Sequence, residues 1–218
     1  MIRAFPFLFV ILWSSAFISG KIIVEDASPF AALGFRFALV AFGFLCFALV
    51  LKDNLSARSR DIFEACGTGI LFHGLYLGGV FFAVSKGLPA GIAALIVSLQ
   101  PVLTGALAGP VLGETVTWRQ WAGIMLGFGG AALVLGLDVG GDLPVIGLVA
   151  TGIALLAVTA GTLWQKRLGD RLPLSVLNVY QAMAACVFHV LVMLAIEQPF
   201  LEFTGSFILA MGWQILAI

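Results

Sequence analysis

The sequence predicts an all-α polytopic membrane protein, and three observations predict it. Of the 218 residues, 61% are hydrophobic and 10% charged, with a mean hydropathy of +1.14. A soluble domain carries about 25% charged residues, so this chain has too little polar surface to cover a water-soluble globule. Apolar segments of bilayer-spanning length, about 20 residues each, follow one another with short connections. The basic residues then sort between alternate connections. Arg3, Lys52, Arg58, Arg60, Arg119, Lys166, Arg167 and Arg171 fall on one side, and only Lys21 and Lys86 on the other. By the positive-inside rule this places the N-terminus in the cytoplasm, in a multi-pass protein of the cell membrane. The other connections are acidic or neutral, with Glu25, Asp26, Asp138, Asp142, Glu197 and Glu202.

Seven full transmembrane helices and a partial eighth are expected. Segment one runs from about Ala4 to Val24, and segment two from about Phe30 to Leu51. The apolar run after Arg3 mimics a signal peptide, but no small-x-small cleavage site stands near Trp13 to Gly20, so a retained helix is expected. Segment three covers about Ile62 to Ser85, and segment five about Trp118 to Leu137. Segment six covers about Leu143 to Gln165, and segment seven about Leu174 to Ile196. An eighth begins near Phe203 and is still apolar at Ile218, as though the chain were cut off inside a helix.

Segment four, Gly87 to Glu114, organises the expected bundle. Its small residues recur at helical spacing, among them Gly105 and Gly109, so neighbouring helices can approach closely. Pro101 beside Gln100 removes a backbone donor and frees a carbonyl near Val97. In hydrocarbon such a break is tolerated where protein or water satisfies the freed group. The segment is therefore expected inside the bundle, its weakened polar middle facing a cavity; a kink serving packing alone is the alternative. Glu114 ends it as a structural anchor on the cytoplasmic side. Thr117 and Gln120 read as a capping box opening segment five. Gly123 and Gly127 there make either an ordinary packing face or a homodimer surface.

The chain also repeats itself. Pro29-Phe30-Ala31-Ala32-Leu33-Gly34-Phe35-Arg36 aligns with Pro173-Leu174-Ser175-Val176-Leu177-Asn178-Val179-Tyr180 at an offset of about 144 residues. Five spans separate the copies, so they cross in opposite directions. Inverted repeats are a signature of alternating-access transporters. Residues 1–140 form the first five-helix repeat and 141–218 an incomplete second, stopping in its third helix.

These residues resemble a family. Trp13-Ser14-Ser15 with Phe17, Pro29 followed by Arg36, Pro101 followed by Leu112-Gly113-Glu114, and Gln120 with Gly123 look like EamA-type members of the drug/metabolite transporter superfamily. The resemblance implies a parent fold of ten helices in two inverted five-helix repeats. It also implies a central cavity lined mainly by the first four helices of each repeat, and export or exchange of small metabolites.

Candidate cavity residues follow. Arg36 lies about two turns inside segment two, where a central arginine costs roughly 2.5–3.5 kcal/mol on insertion scales. It either attracts an anionic or zwitterionic substrate, or snorkels to the interface beside Glu25 or Asp26. Its repeat partner Tyr180, with Asn178 and Gln181, offers hydrogen-bonding lining. His73 falls near mid-membrane, as a proton relay or as a neutral group bonded to a neighbouring helix. Trp13, Ser14 and Ser15 offer an aromatic wall and hydroxyls, or core packing.

Other chemistry is excluded or unsupported. Net charge is zero, so no basic surface argues for nucleic acid. No cofactor is expected. Cys46, Cys66 and Cys186 show no ligand spacing, nor does any run of Cys, His, Asp and Glu. Gly127-Phe128-Gly129-Gly130 mimics a dinucleotide fingerprint but lacks its strand and acid. Asn54-Leu55-Ser56 fits a glycosylation sequon on the cytoplasmic side, where it stays unmodified. The expected function is transport, as efflux of an amino acid or drug-like solute, rather than catalysis. A non-transporting scaffold or partner subunit is the alternative, and an intramembrane hydrolase pairing Ser206 with His189 a more distant one. The expected partners are a small-molecule substrate and the lipid bilayer.

Overall fold

The computed structural model describes residues 5–113, 115–136, 142–169 and 171–217. Eight helices appear among them, matching the eight apolar segments in order. They are α1 (Phe5–Asp26), α2 (Pro29–Leu51), α3 (Ser59–Ser85), α4 (Ala90–Leu112), α5 (Trp118–Gly136), α6 (Val145–Leu168), α7 (Leu174–Ile196) and α8 (Gly205–Leu216). Five of them, α2, α3, α4, α6 and α7, are long and apolar enough to cross a membrane. Large apolar side chains such as Phe42, Leu126, Leu133, Leu194 and Leu209 stay exposed on the outer surface. A bilayer supplies their apolar surroundings.

The helix ends obey local chemistry. Pro29 opens α2, where its missing N–H is harmless. No side chain of the preceding loop caps that end; the Glu197 carboxylate reaches across and accepts from the Phe30 and Ala31 amides at 3.2–3.3 Å. At the opposite end Asp53, just beyond α2, accepts from the Ser175 hydroxyl at the start of α7. The start of each helix therefore meets the end of the other, so α2 and α7 lie antiparallel. Their connections pair as well: Ser28 N–H donates to the Phe200 carbonyl at 3.0 Å, and Glu202 N–H to the Asp26 carbonyl at 2.9 Å. The Thr117–Gln120 capping box forms, with Gln120 Oε1 accepting from Thr117 N at 2.8 Å. Glu114 lies outside the described residues.

The central helix is α3, which corrects the expected place of α4. A Cβ on Gly69 would stand 2.6 Å from the Gln181 backbone of α7. On Gly79 it would stand 2.8 Å from the Ala150 carbonyl of α6. These are the close backbone approaches of the bundle, and they lie on α3. On α4, Gly105 makes only ordinary contact with Trp121 at 3.7 Å, and Gly109 is exposed. The helix is broken at Ser98 and Leu99, with Gln100 and Pro101 opening its second half, as the sequence expects. Yet few of its residues are buried and most are half-buried, at the edge of the described bundle. Spacing of small residues shows that a helix can be approached, not that it is. Gly123 and Gly127 of α5 likewise have nothing within 4 Å of an added Cβ.

The apolar core joins α1, α2, α3, α7 and α8 through Ile23, Leu33, Phe37, Phe81, Ala185 and Phe207. The two ends of the bundle differ in charge. Arg58, Arg60, Arg167 and Arg171 gather at one end, called here the basic end, where Arg171 pairs with Asp61 at 2.9 Å and with Glu64, and Arg60 with Glu64 at 2.9 Å. Glu25, Asp26, Glu197 and Glu202 mark the other, acidic end.

Candidate functional site

α3 carries an irregularity at mid-length. Residues Ile70–Tyr76 form a π-helix, a stretch in which backbone bonds reach one residue further. The His73 carbonyl within it lies 2.9 Å from His189 Nε2 of α7. A carbonyl only accepts, so Nε2 carries the proton. His189 is fully buried, and its ring stacks on Phe37 at 5.6 Å. The π-helix brings His73 and Tyr76 onto the face of α3 that looks toward α1 and α2.

There a cavity of about 180 Å³ opens. Its walls are Trp13 and Phe17 of α1 and Phe72, Tyr76, Val80 and Phe81 of α3. Its floor is polar: Arg36 of α2, His73 of α3 and Gln214 of α8. The described lining holds no carboxylate.

Arg36 is 7% exposed, deep in the bundle. Its Nη1 donates to Gln214 Oε1 at 2.7 Å and its Nη2 to the Gln214 carbonyl at 2.8 Å. Its Nε is buried without a partner, and its guanidinium carbon sits 5.5 Å over the Phe37 ring. The interfacial snorkelling alternative is thus overturned. The would-be partner Asp26 instead accepts from Ser206 at 3.1 Å and from Thr204. Gln214 in turn donates from Nε2 to the Ala16 carbonyl at 3.1 Å and to Ser19 Oγ at 3.0 Å.

Of the residues singled out from the sequence, the structure brings Trp13, Arg36 and His73 together around this cavity. Asn178 borders a second hollow on the far side of Arg36 and donates to its own Leu174 carbonyl at 2.7 Å. Three are placed elsewhere. Ser14 is exposed on the outer face of α1, and its neighbour Ser15 accepts from the Trp213 indole at 2.8 Å. Gln100 turns onto α6 and donates to Thr162 Oγ1 at 3.1 Å, because α4 sits at the edge. Tyr180 donates to the Leu55 carbonyl at 2.7 Å, so its hydroxyl turns toward the basic end and away from the cavity. Gln181, beside it, donates to Thr68 Oγ1 at 3.0 Å and Gln165 Oε1 at 2.9 Å. The distant hydrolase pair does not meet: Ser206 bonds Asp26 and His189 bonds His73.

Sequence reasoning missed Gln214 and Tyr76. A lone glutamine in an apolar helix was the available signal for the first, since polar groups at membrane depth face protein or water. Tyr76 gave none, because its orientation depends on the π-helix.

A helical bundle with lipid-facing sides and an aromatic cavity over a buried cation defines a multi-pass membrane protein with an internal solute-sized site. The particular family follows from comparison: residues 4–136 match the EamA-like transporter family, and the chain belongs to it. An uncharacterised transporter of Bacillus subtilis, YvbV, is 30% identical, over 94% of this chain and 70% of its own. A probable amino-acid metabolite efflux pump of Escherichia coli is 26% identical over 74% of this chain. A probable terminal-alkyne amino-acid exporter of Streptantibioticus cattleyicolor is 32% identical over 58%. The chain spans 52% of the length of the efflux pump and 42% of that of the exporter. A crystal structure shares the fold with a TM-score of 0.76, at 22% identity, covering 96% of this chain and 71% of its own.

Proposed function

We propose that the protein is a secondary transporter for a small organic metabolite bearing an anionic or zwitterionic group, working in the efflux direction. The observation that carries this reading is Arg36: a buried cation with a free Nε at the floor of an aromatic cavity. Trp13 and Phe17 would hold the apolar part of the solute while Arg36 takes its charged end. The likeness to a probable amino-acid metabolite efflux pump and a probable amino-acid exporter supports the same direction and class.

Two inverted repeats would rock between inward-open and outward-open forms around this site, with the N-terminus in the cytoplasm. In this reading α1 and α5, of 22 and 19 residues, cross the membrane with the five longer apolar helices. The antiparallel α2 and α7 support it. So do their reciprocal end contacts, since Pro29 and Pro173, and likewise Asp53 and Glu197, stand at the same offset of about 144 residues. The open cavity argues for transport over a dry scaffold. If a second copy of the chain binds, the open Gly123–Gly127 face of α5 is where it would seat.

The test is flux of radiolabelled amino acids in reconstituted vesicles. Accumulation above empty vesicles is expected, with a loss of at least about tenfold in Arg36→Ala and a smaller loss in Trp13→Ala. If both variants transport as the parent does, the site assignment is wrong.

A further inference from the structure

Two hollows meet at one layer of side chains. The first, between α1, α3 and α8, runs from Arg36 past Gly20, Val80 and Val84 toward the acidic end. The second, of about 320 Å³, runs from Arg36 past Val40, Phe44 and Asn178 toward the basic end. Arg36, His73 and Gln214 line both. These three side chains therefore lie between the two hollows.

Gln214 holds that layer in place. It is 1% exposed and ties three helices together. It accepts twice from Arg36 of α2 and donates to Ala16 and Ser19 of α1, while its own neighbour Trp213 donates to Ser15. Its contact with Arg36 is the one a carboxylate would make: two oxygens facing the guanidinium fork. It is also weaker, because amide and carbonyl oxygens are neutral. The Arg36 Nε is buried without a partner, so the guanidinium keeps one unused donor for a charged acceptor that reaches it.

We infer that Gln214 is a positioning residue, a neutral placeholder that latches α8 to Arg36 until the anionic group of an apolar solute takes its place and joins the two hollows. This rests on the transporter reading and adds the residue that closes the path. The solute class follows from the walls. Aromatic rings and Val80 offer an apolar body its surroundings, and Arg36 is the lone formal charge among the described lining.

The test is thiol labelling of the full chain in sealed vesicles, with Cys46, Cys66 and Cys186 replaced by serine and Asn178→Cys as reporter in the second hollow. A small, anionic, membrane-impermeant thiol reagent is added on the acidic-end side. With Gln214 present the reporter should stay nearly unlabelled. Gln214→Ala should raise its labelling rate at least about tenfold, whereas Gln214→Glu, which keeps an acceptor for Arg36 but loses the donor to Ala16 and Ser19, should label more slowly than Gln214→Ala. Adding 3-phenylpropanoate should speed labelling in the parent at least about threefold, and 3-phenylpropanol should not. Unchanged labelling in Gln214→Ala, equal rates in the Ala and Glu variants, or equal effects of acid and alcohol would each overturn the inference. Labelling that responds as expected in vesicles that show no amino-acid flux would instead sink the transporter reading and leave the latch standing.

Discussion

Arg36 has no acidic partner among the described residues, and magnitudes say what that means. Placing an arginine at mid-depth costs roughly 2.5–3.5 kcal/mol. Removing it leaves Gln214 Oε1 buried and unpaired, a loss of about 1–3 kcal/mol. The two nearly cancel, so Arg36→Ala should unfold in detergent at about the parent's temperature or slightly above it while its flux collapses. A large drop in melting temperature with unchanged flux would mark Arg36 as a packing element. Arg36 stood out in the sequence because a charge within an apolar run is rare. Its partner did not, because only tertiary contact reveals which of several glutamines faces it. Gln100 shows the same limit from the other side: equally polar, equally deep in its segment, it turns onto Thr162.

At the scale of elements, the eight segments and their order were legible from hydropathy alone, and Pro29 and the Thr117–Gln120 box marked helix starts correctly. What periodicity could not rank was which helix sits in the middle. Both α3 and α4 carry glycines at helical spacing, and only packing shows that α3 uses them. Gly69→Ala would push a methyl into the Gln181 backbone, so a loss of about 1–3 kcal/mol is expected. Gly127→Ala meets nothing and should be neutral or slightly stabilising. Thermal denaturation of the two variants in one detergent checks the pair; equal melting temperatures would show that α3 is not the close-packed helix. Glu197→Ala removes the acceptor at the start of α2 and should cost about 0.5–2 kcal/mol, as loss of a helix cap does. A Glu197→Ala protein as stable as the parent would mean that water caps α2 equally well.

At the scale of the molecule, charge separates the two ends and a polar layer separates the two hollows. Asp61 and Glu64 of α3 hold Arg171 of the α6–α7 connection at the basic end. In the proposed orientation, which follows the positive-inside rule, that connection would face the cytoplasm. A cysteine placed at Arg167 should therefore react with an impermeant reagent only after the cells are opened. Labelling in intact cells would reverse the orientation and with it the direction assigned to transport.

Equilibrium binding tests the cavity most directly. Radiolabelled leucine, a zwitterion with an apolar body, is titrated onto the purified protein immobilised in detergent. Saturable binding is expected for the parent and for Arg167→Ala at the basic end, with a loss of at least about tenfold in affinity for Arg36→Ala. Binding of equal affinity in Arg36→Ala and the parent would contradict a solute site built on that guanidinium.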